Sequence, residues 1–201
     1  WGGQRDSQLS EEETASAKGL KAETWLTVSG GIIGIDSSDD AIHSNYNINI
    51  RGGEITISSG DDGIHADASL LISDGILNIS KSYEGLEALA LQIDGGTISV
   101  VASDDGLNAA GGNDGSSVNG RMGQNQFAAT EGAQIVINGG SLIVDAGGDG
   151  LDSNGNLYIN GGEIIVYGPT DGGNGYLDYD GTCILTGGSI IAMGSSGMLE
   201  T

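Results

Sequence analysis

Residues 52–78 read GGEITISSGDDGIHADASLLISDGILN, one complete turn of a repeat and the opening of the next. Glycine pairs stand at Gly30-Gly31, Gly52-Gly53, Gly95-Gly96, Gly139-Gly140, Gly161-Gly162 and Gly187-Gly188, with Asp74-Gly75 in the same role, so the steps are 22, 22, 21, 44, 22 and 26 residues. The 44 is two periods, or one period plus an insertion. Recurrence at such a spacing is the signature of a solenoid.

Alternating apolar residues follow each pair, as in Ile33/Ile35, Ile55/Ile57, Leu142/Val144 and Ile164/Val166. A second alternating pair precedes each, as in Leu26/Val28, Ile48/Ile50, Leu91/Ile93 and Cys183/Leu185. Strict alternation over so short a run predicts strands with one face buried. Between these strands lies a third apolar column, Leu20, Ile42, Ile64, Leu86, Leu107, Leu151, Leu177 and Met198, set in the phrase acid-Gly-apolar-polar-small. Three short sides with glycine corners describe one coil of a single-stranded parallel β-helix. Its strands pair with the coils on either side at about 4.8 Å. The class is therefore all-β, with about seven coils of about 22 residues, on the order of 35 Å tall at one strand spacing per coil. No helical period appears after Ala22, so almost no helix is expected.

The 201 residues carry 38 glycines, one proline and a net charge of −22 with six Lys plus Arg. Nucleic acids and anionic membrane surfaces are bound through clustered cations, so neither is an expected partner. No apolar run reaches the length of a membrane helix, and no membrane insertion is expected. The chain starts at Trp1 without a signal-peptide core and reads as a mature chain or a fragment. Cys183, the one cysteine, falls on an inward position and reads as a small buried hydrophobe.

Residues 1–17 are polar, with Glu11-Glu12-Glu13, and read as a flexible arm or loop; residues 18–201 form the β-helix. The repeat opens in mid-coil at Lys18, which suggests further coils upstream in a parent protein. An uncapped end would make end-to-end self-association a hazard. Residues 111–133 interrupt the repeat as a Gly-rich loop carrying Arg121 and Phe127, and insertions of this kind often shape a binding surface. A smaller bulge spans Pro169 to Tyr176.

Acids recur at one corner: Asp39-Asp40, Asp61-Asp62, Glu84, Asp104-Asp105 and Asp149. A neighbouring column holds His43, His65, Glu87, Asn108, Asp152 and Asp178. Carboxylates stacked about 5 Å apart repel by roughly 3 kcal/mol at an effective dielectric of 20. Hydrogen bonds to turn amides, raised pKa values or bound cations can relieve this. An oxygen-rich ladder suits Ca2+, and Asp61, Asp62, Glu84, Glu87, Asp104, Asp105, Asn108, Asp149 and Asp152 are the candidate ligands. The competing reading has each aspartate capping its own turn through an Asx-type bond. His43 and His65 share a column and are either part of a ligand site or stacked, solvated imidazoles.

Two local patterns mislead. Residues 147–152, GGDGLD, resemble a nonapeptide calcium repeat but do not recur every nine residues, and Leu157 replaces the glycine an EF-hand needs after Asp152. The phrase SSGDDGI resembles the paired aspartates of polygalacturonases, yet it recurs from coil to coil and so reads as structural.

The phrases SKGLKAETWLTVSGG, SSDDAIHSN, SSGDDGIHADASL, SKSYEGLEA, ASDDGLNAAGGNDGS and GDGLDSNG closely resemble the carbohydrate-binding, polysaccharide-lyase-like β-helix proteins of anaerobic bacteria, over Ser16 to Met198. The resemblance implies a right-handed, pectate-lyase-like helix, a secreted or cell-surface protein, Ca2+ sites, and binding of cellulose and of polygalacturonate. It also implies that this chain corresponds to the C-terminal half of the family's longer helix. Exposed aromatic and polar residues on a flat strand face suit an extended glycan, and six tyrosines, Tyr83 among them, are available. The alternative is a calcium-dependent pectate lyase, in which Lys81 beside the ladder is the candidate base and Arg121 a carboxylate grip. A third reading is a stalk or adhesin segment that binds nothing. The expected ligand-binding residues are thus Lys81, Tyr83, Arg121, Phe127, His43 and His65.

Overall fold

A computed structural model of the chain describes residues 17–110, 129–170 and 172–195. Apart from Ala17 the predicted N-terminal arm lies outside these residues, as do Arg121 and Phe127 of the predicted loop.

The described chain winds through seven coils. The first holds β1 (Leu20–Ala22), β2 (Trp25–Val28) and β3 (Ile32–Ser37); the second β4 (Ile42–Ser44) and β5 (Asn47–Ser59); the third is one long strand, β6 (Ile64–Lys81), that bends around all three sides. The fourth holds β7 (Leu86–Ile93) and β8 (Thr97–Ala102), and the fifth β9 (Leu107–Ala109), β10 (Gln134–Ile137) and β11 (Ser141–Ala146). The sixth holds β12 (Leu151–Ser153), β13 (Asn156–Ile159) and β14 (Glu163–Tyr167), and the seventh β15 (Leu177–Tyr179), β16 (Cys183–Leu185) and β17 (Ser189–Met193). Every pairing between coils is parallel, and no helix occurs among the described residues. This is the parallel β-solenoid of about 22 residues per turn that the period predicts.

Register follows the repeat. Leu20 pairs with Ile42, Ile42 with Ile64, Ile64 with Leu86, Leu86 with Leu107, Leu107 with Leu151 and Leu151 with Leu177. Because Leu91 stacks on Ile135 and Ile98 on Leu142, the 44-residue step is one period plus an insertion between β9 and β10. A one-residue slip would turn every inward Ile and Leu outward, so alternation alone pins the register.

Ile64, Leu70, Ile72, Leu77 and Ile79 of the third coil are all at most 2% exposed, and equivalent residues above and below continue the core. Leu26, Ile33, Leu177, Cys183 and Ile190, in the first and last described coils, are only partly buried because a described coil covers them on one side alone. Cys183 is therefore half-buried rather than the fully enclosed hydrophobe its column predicts. The second residue of each glycine pair has φ between 77° and 120° in all seven coils. That left-handed corner explains why Asp74 can replace the first glycine of a pair while the second position stays glycine.

Candidate metal-binding column and groove

The acidic corner is built by the turn before each short side. Ser37 and Ser59 donate from Oγ to the carbonyls of Asp39 and Asp61, both at 2.8 Å, tightening the bend that carries the acid pair. The first acid of each pair stays partly exposed, while Asp40, Asp62 and Glu84 turn inward and are 0%, 1% and 3% exposed.

Most of these buried carboxylates are capped across coils, not within their own turn as the Asx alternative had it. Asp40 Oδ1 accepts from the N–H of Asp62 at 3.3 Å, Asp62 Oδ1 from Glu84 at 3.2 Å, Asp105 Oδ1 from Asp149 at 2.6 Å and Asp149 Oδ1 from Gly175 at 2.5 Å. One oxygen of each side chain is thereby committed to the neighbouring coil. The other faces the next column.

That second column runs Lys21, His43, His65, Glu87, Asn108, Asp152, Asp178 in unbroken register. His43 and His65 are neighbours in the column, with ring centroids 5.0 Å apart, but the rings are tilted by 37° rather than stacked, and they are buried rather than solvated. His43 Nδ1 lies 2.8 Å from Asp40 Oδ2, and its Nε2 lies 2.9 Å from Asn45 Oδ1. His65 Nδ1 lies 3.1 Å from Asp62 Oδ2 and 2.7 Å from Glu87 Oε2, and its Nε2 is 3.3 Å from Asp67 Oδ1. Asn108 donates from Nδ2 to Glu84 Oε2 at 2.7 Å. His65 Nε2, Glu87 Oε2 and Asn108 Oδ1, all buried, make no hydrogen bond of acceptable geometry.

The charges divide along the column. Lys18, which stands 22 residues before Asp40, donates to Asp39 Oδ1 at 2.9 Å and to Asp40 Oδ2 at 2.5 Å. Burial works to raise the Asp40 pKa, but hydrogen bonds from His43 and Lys18 and the ammonium charge outweigh it and hold Asp40 at about 2. Burial likewise works against the Lys18 ammonium, yet those two aspartates hold its pKa well above the usual lysine range. His65 behaves in the same way. Burial disfavours its charged form, and the adjacent Asp62 and Glu87 carboxylates more than compensate, raising it to about 11. Further along, no cation intervenes among the described residues: burial, then the Asp104 charge, pushes Asp105 to about 7, and burial together with Asp105 and Asp149 raises Asp152 well above the carboxylate range. Burial and the charges of Glu87 and Asp62 push Glu84 upward as well.

Among the described residues, four groups have ligand atoms within 4.8 Å of one another: Asp40, His43 and His65; Asp62, His65 and Glu87; Asp39, Asp40 and Asp61; and Asp105, Asp149 and Asp152. The predicted metal residues thus fall into separate clusters. Asp62 and Glu87 converge on His65, Asp105, Asp149 and Asp152 on each other, Glu84 pairs with Asn108, and Asp61 joins the corner held by Lys18. Asp104 sits with Tyr83, whose phenol it raises through a hydrogen bond, with burial adding to the shift.

Lys81, expected to be the cation beside the ladder, is an exposed residue closing β6. Lys18 is the ammonium bound to the acidic corner, and the signal for it was its place one period before Asp40. Of the tyrosines, Tyr46 and Tyr167 are exposed, whereas Tyr176 and Tyr179 pack against the core.

A groove of about 410 Å³ crosses the outer face of β2, β5, β6, β7 and β10, lined by Trp25, Asn49, Arg51, Leu71, Gln92 and Gln134 among others. Trp25 is 60% exposed. Outward positions of WLTV and NINIR carry Trp25 and Arg51, so alternation could have found them, but the tyrosines drew the sequence reading away. No residue of the acidic columns lines this groove.

Residues 1–63 match the model of a family described as carbohydrate-binding domain-containing protein. The matched stretch includes Trp25, Asn49 and Arg51 of the groove and Asp40, His43 and Asp62 of the columns. No curated protein and no solved structure matches the chain.

Proposed function

We propose that this chain is a polysaccharide-binding β-helix that takes an extended glycan along the groove of β2, β5, β6, β7 and β10. The single observation that carries the reading is the lining of that groove: an exposed indole, three amide side chains and a guanidinium on a rigid sheet. An indole face stacks on the apolar face of a sugar ring, and amides match its hydroxyls. Arg51 adds a planar donor pair suited to a uronate carboxylate. Cellulose and polygalacturonate are the two polymer classes these groups fit. A role on plant cell-wall polysaccharide puts the protein outside the cell, secreted or on the surface.

Calcium enters this reading as a brace for the lower ladder. Asp105, Asp149 and Asp152 form an all-oxygen cluster, with the unpaired amide oxygen of Asn108 in the register position before Asp152, and a hard divalent cation takes such ligands. The cluster does not line the groove, so calcium here stabilises the coils rather than bridging to the sugar.

The test is titration of cello-oligosaccharides and oligogalacturonides, with and without Ca2+. Trp25→Ala should weaken both at least tenfold, and Arg51→Ala should weaken the uronate alone. Absorbance of an unsaturated product should not rise. Binding of neither sugar class, or binding that ignores both substitutions, removes the proposal.

A further inference from the structure

The cluster of Asp62, His65 and Glu87 differs in kind from the oxygen-only group at Asp105. Its three residues come from two adjacent coils, and His65 and Glu87 are register partners. All are at most 1% exposed. His65 Nδ1 lies between two carboxylate oxygens, 3.1 Å from Asp62 Oδ2 and 2.7 Å from Glu87 Oε2. Tetrahedral zinc ligands at bonds of about 2.0–2.2 Å stand roughly 3.3–3.6 Å from one another. Both separations are shorter than that by a few tenths of an ångström, so the carboxylates and the ring would move slightly apart around an ion.

Three further observations point the same way. Asp62 has its Oδ1 committed to the N–H of Glu84, which leaves Oδ2 for the cluster. Glu87 Oε2, although buried and 2.7 Å from His65 Nδ1, makes no hydrogen bond of acceptable geometry. Asp67 Oδ1 stands 3.3 Å from His65 Nε2, close enough to become its acceptor after a small rotation of the ring, although Nε2 makes no hydrogen bond as it stands. A carboxylate on the far nitrogen is how metal-binding histidines are commonly held. The neighbouring group of Asp40, His43 and His65 is less suited, because Asp40 Oδ2 already takes Lys18 and His43.

We propose that Asp62 Oδ2, His65 Nδ1 and Glu87 Oε2 bind one divalent transition-series cation, with Zn2+ the best fit. An imidazole nitrogen with two carboxylates suits that class, whereas Ca2+ seeks six to eight oxygens at longer bonds. On binding, His65 releases its Nδ1 proton to solvent, and two anionic ligands with a neutral imidazole then balance the dication inside the coil. The site is independent of the glycan groove and of the calcium cluster.

The untagged 201-residue chain, stripped with chelator, is titrated with Zn2+ against a colorimetric zinc chelator, and Co2+ is used as a spectroscopic probe. One equivalent should bind and persist in a hundredfold excess of Ca2+. His65→Asn should abolish it, Glu87→Gln should weaken it at least tenfold and alter the Co2+ visible spectrum, and Asp105→Asn should leave it unchanged. Circular dichroism establishes that each variant is folded; if His65→Asn is not, Glu87→Gln decides. Absence of stoichiometric binding, displacement by Ca2+, or binding indifferent to the decisive substitution overturns the assignment.

Discussion

Asp62 reaches across the coil boundary: its Oδ1 accepts the main-chain N–H of Glu84 at 3.2 Å, while its Oδ2 lies 3.1 Å from the imidazole of His65. One carboxylate therefore ties two coils together and holds a buried ring.

Removing that carboxylate should cost more than a surface charge does. Asp62→Ala leaves a buried N–H without its acceptor and removes one of the two carboxylates beside Nδ1 of the buried imidazole, so a loss of about 3 kcal/mol is expected. Asp62→Asn keeps an acceptor oxygen for Glu84 and should lose less in chelator. Urea unfolding midpoints compare the two directly.

Acid should weaken the Lys18 corner. Asp40 is held at about 2 in the folded chain, below its ordinary 3.8, so it adds stability that is complete above about pH 4 and is lost as pH falls toward 2. The contribution is on the order of 2 kcal/mol at neutral pH. Asp40→Asn should therefore flatten the stability profile between pH 4 and 2, measured by thermal melting in chelator.

The lower ladder should respond in the opposite direction to loss of a charge. Asp105 is crowded by Asp104 and Asp149, with burial as the larger burden. In chelator at pH 8, Asp105→Asn should raise stability by about 1–2 kcal/mol by removing one member of that crowd. Under the calcium reading, added Ca2+ should raise the melting temperature of the unaltered chain and do so far less in the variant.

Corner geometry gives a matched pair of substitutions. Gly96 has φ of +94°, and a Cβ there would stand 2.9 Å from the carbonyl oxygen of Gly75. Gly96→Ala should cost about 2–3 kcal/mol through left-handed strain and contact with the neighbouring coil. Gly34 faces open space, so Gly34→Ala should be neutral or stabilise by about 0.5 kcal/mol. Equal effects at the two positions would contradict the corner assignment.

The coil, its three sides and its inward columns were legible from spacing alone. Ile42, Ile64 and Leu86 recur one period apart, and alternation lets only one register bury them all. The same logic aligns the acidic corner and the His65–Glu87–Asn108 column. Spacing could not reveal which oxygen of Asp62 serves Glu84 and which faces His65, nor that Lys18 rather than Lys81 meets the acids. It also could not show that Trp25 and Arg51 line one groove with residues of three other strands. Those facts depend on side-chain direction and on how far each neighbour excludes water. Both are set by residues a full coil away, so only the assembled stack determines them.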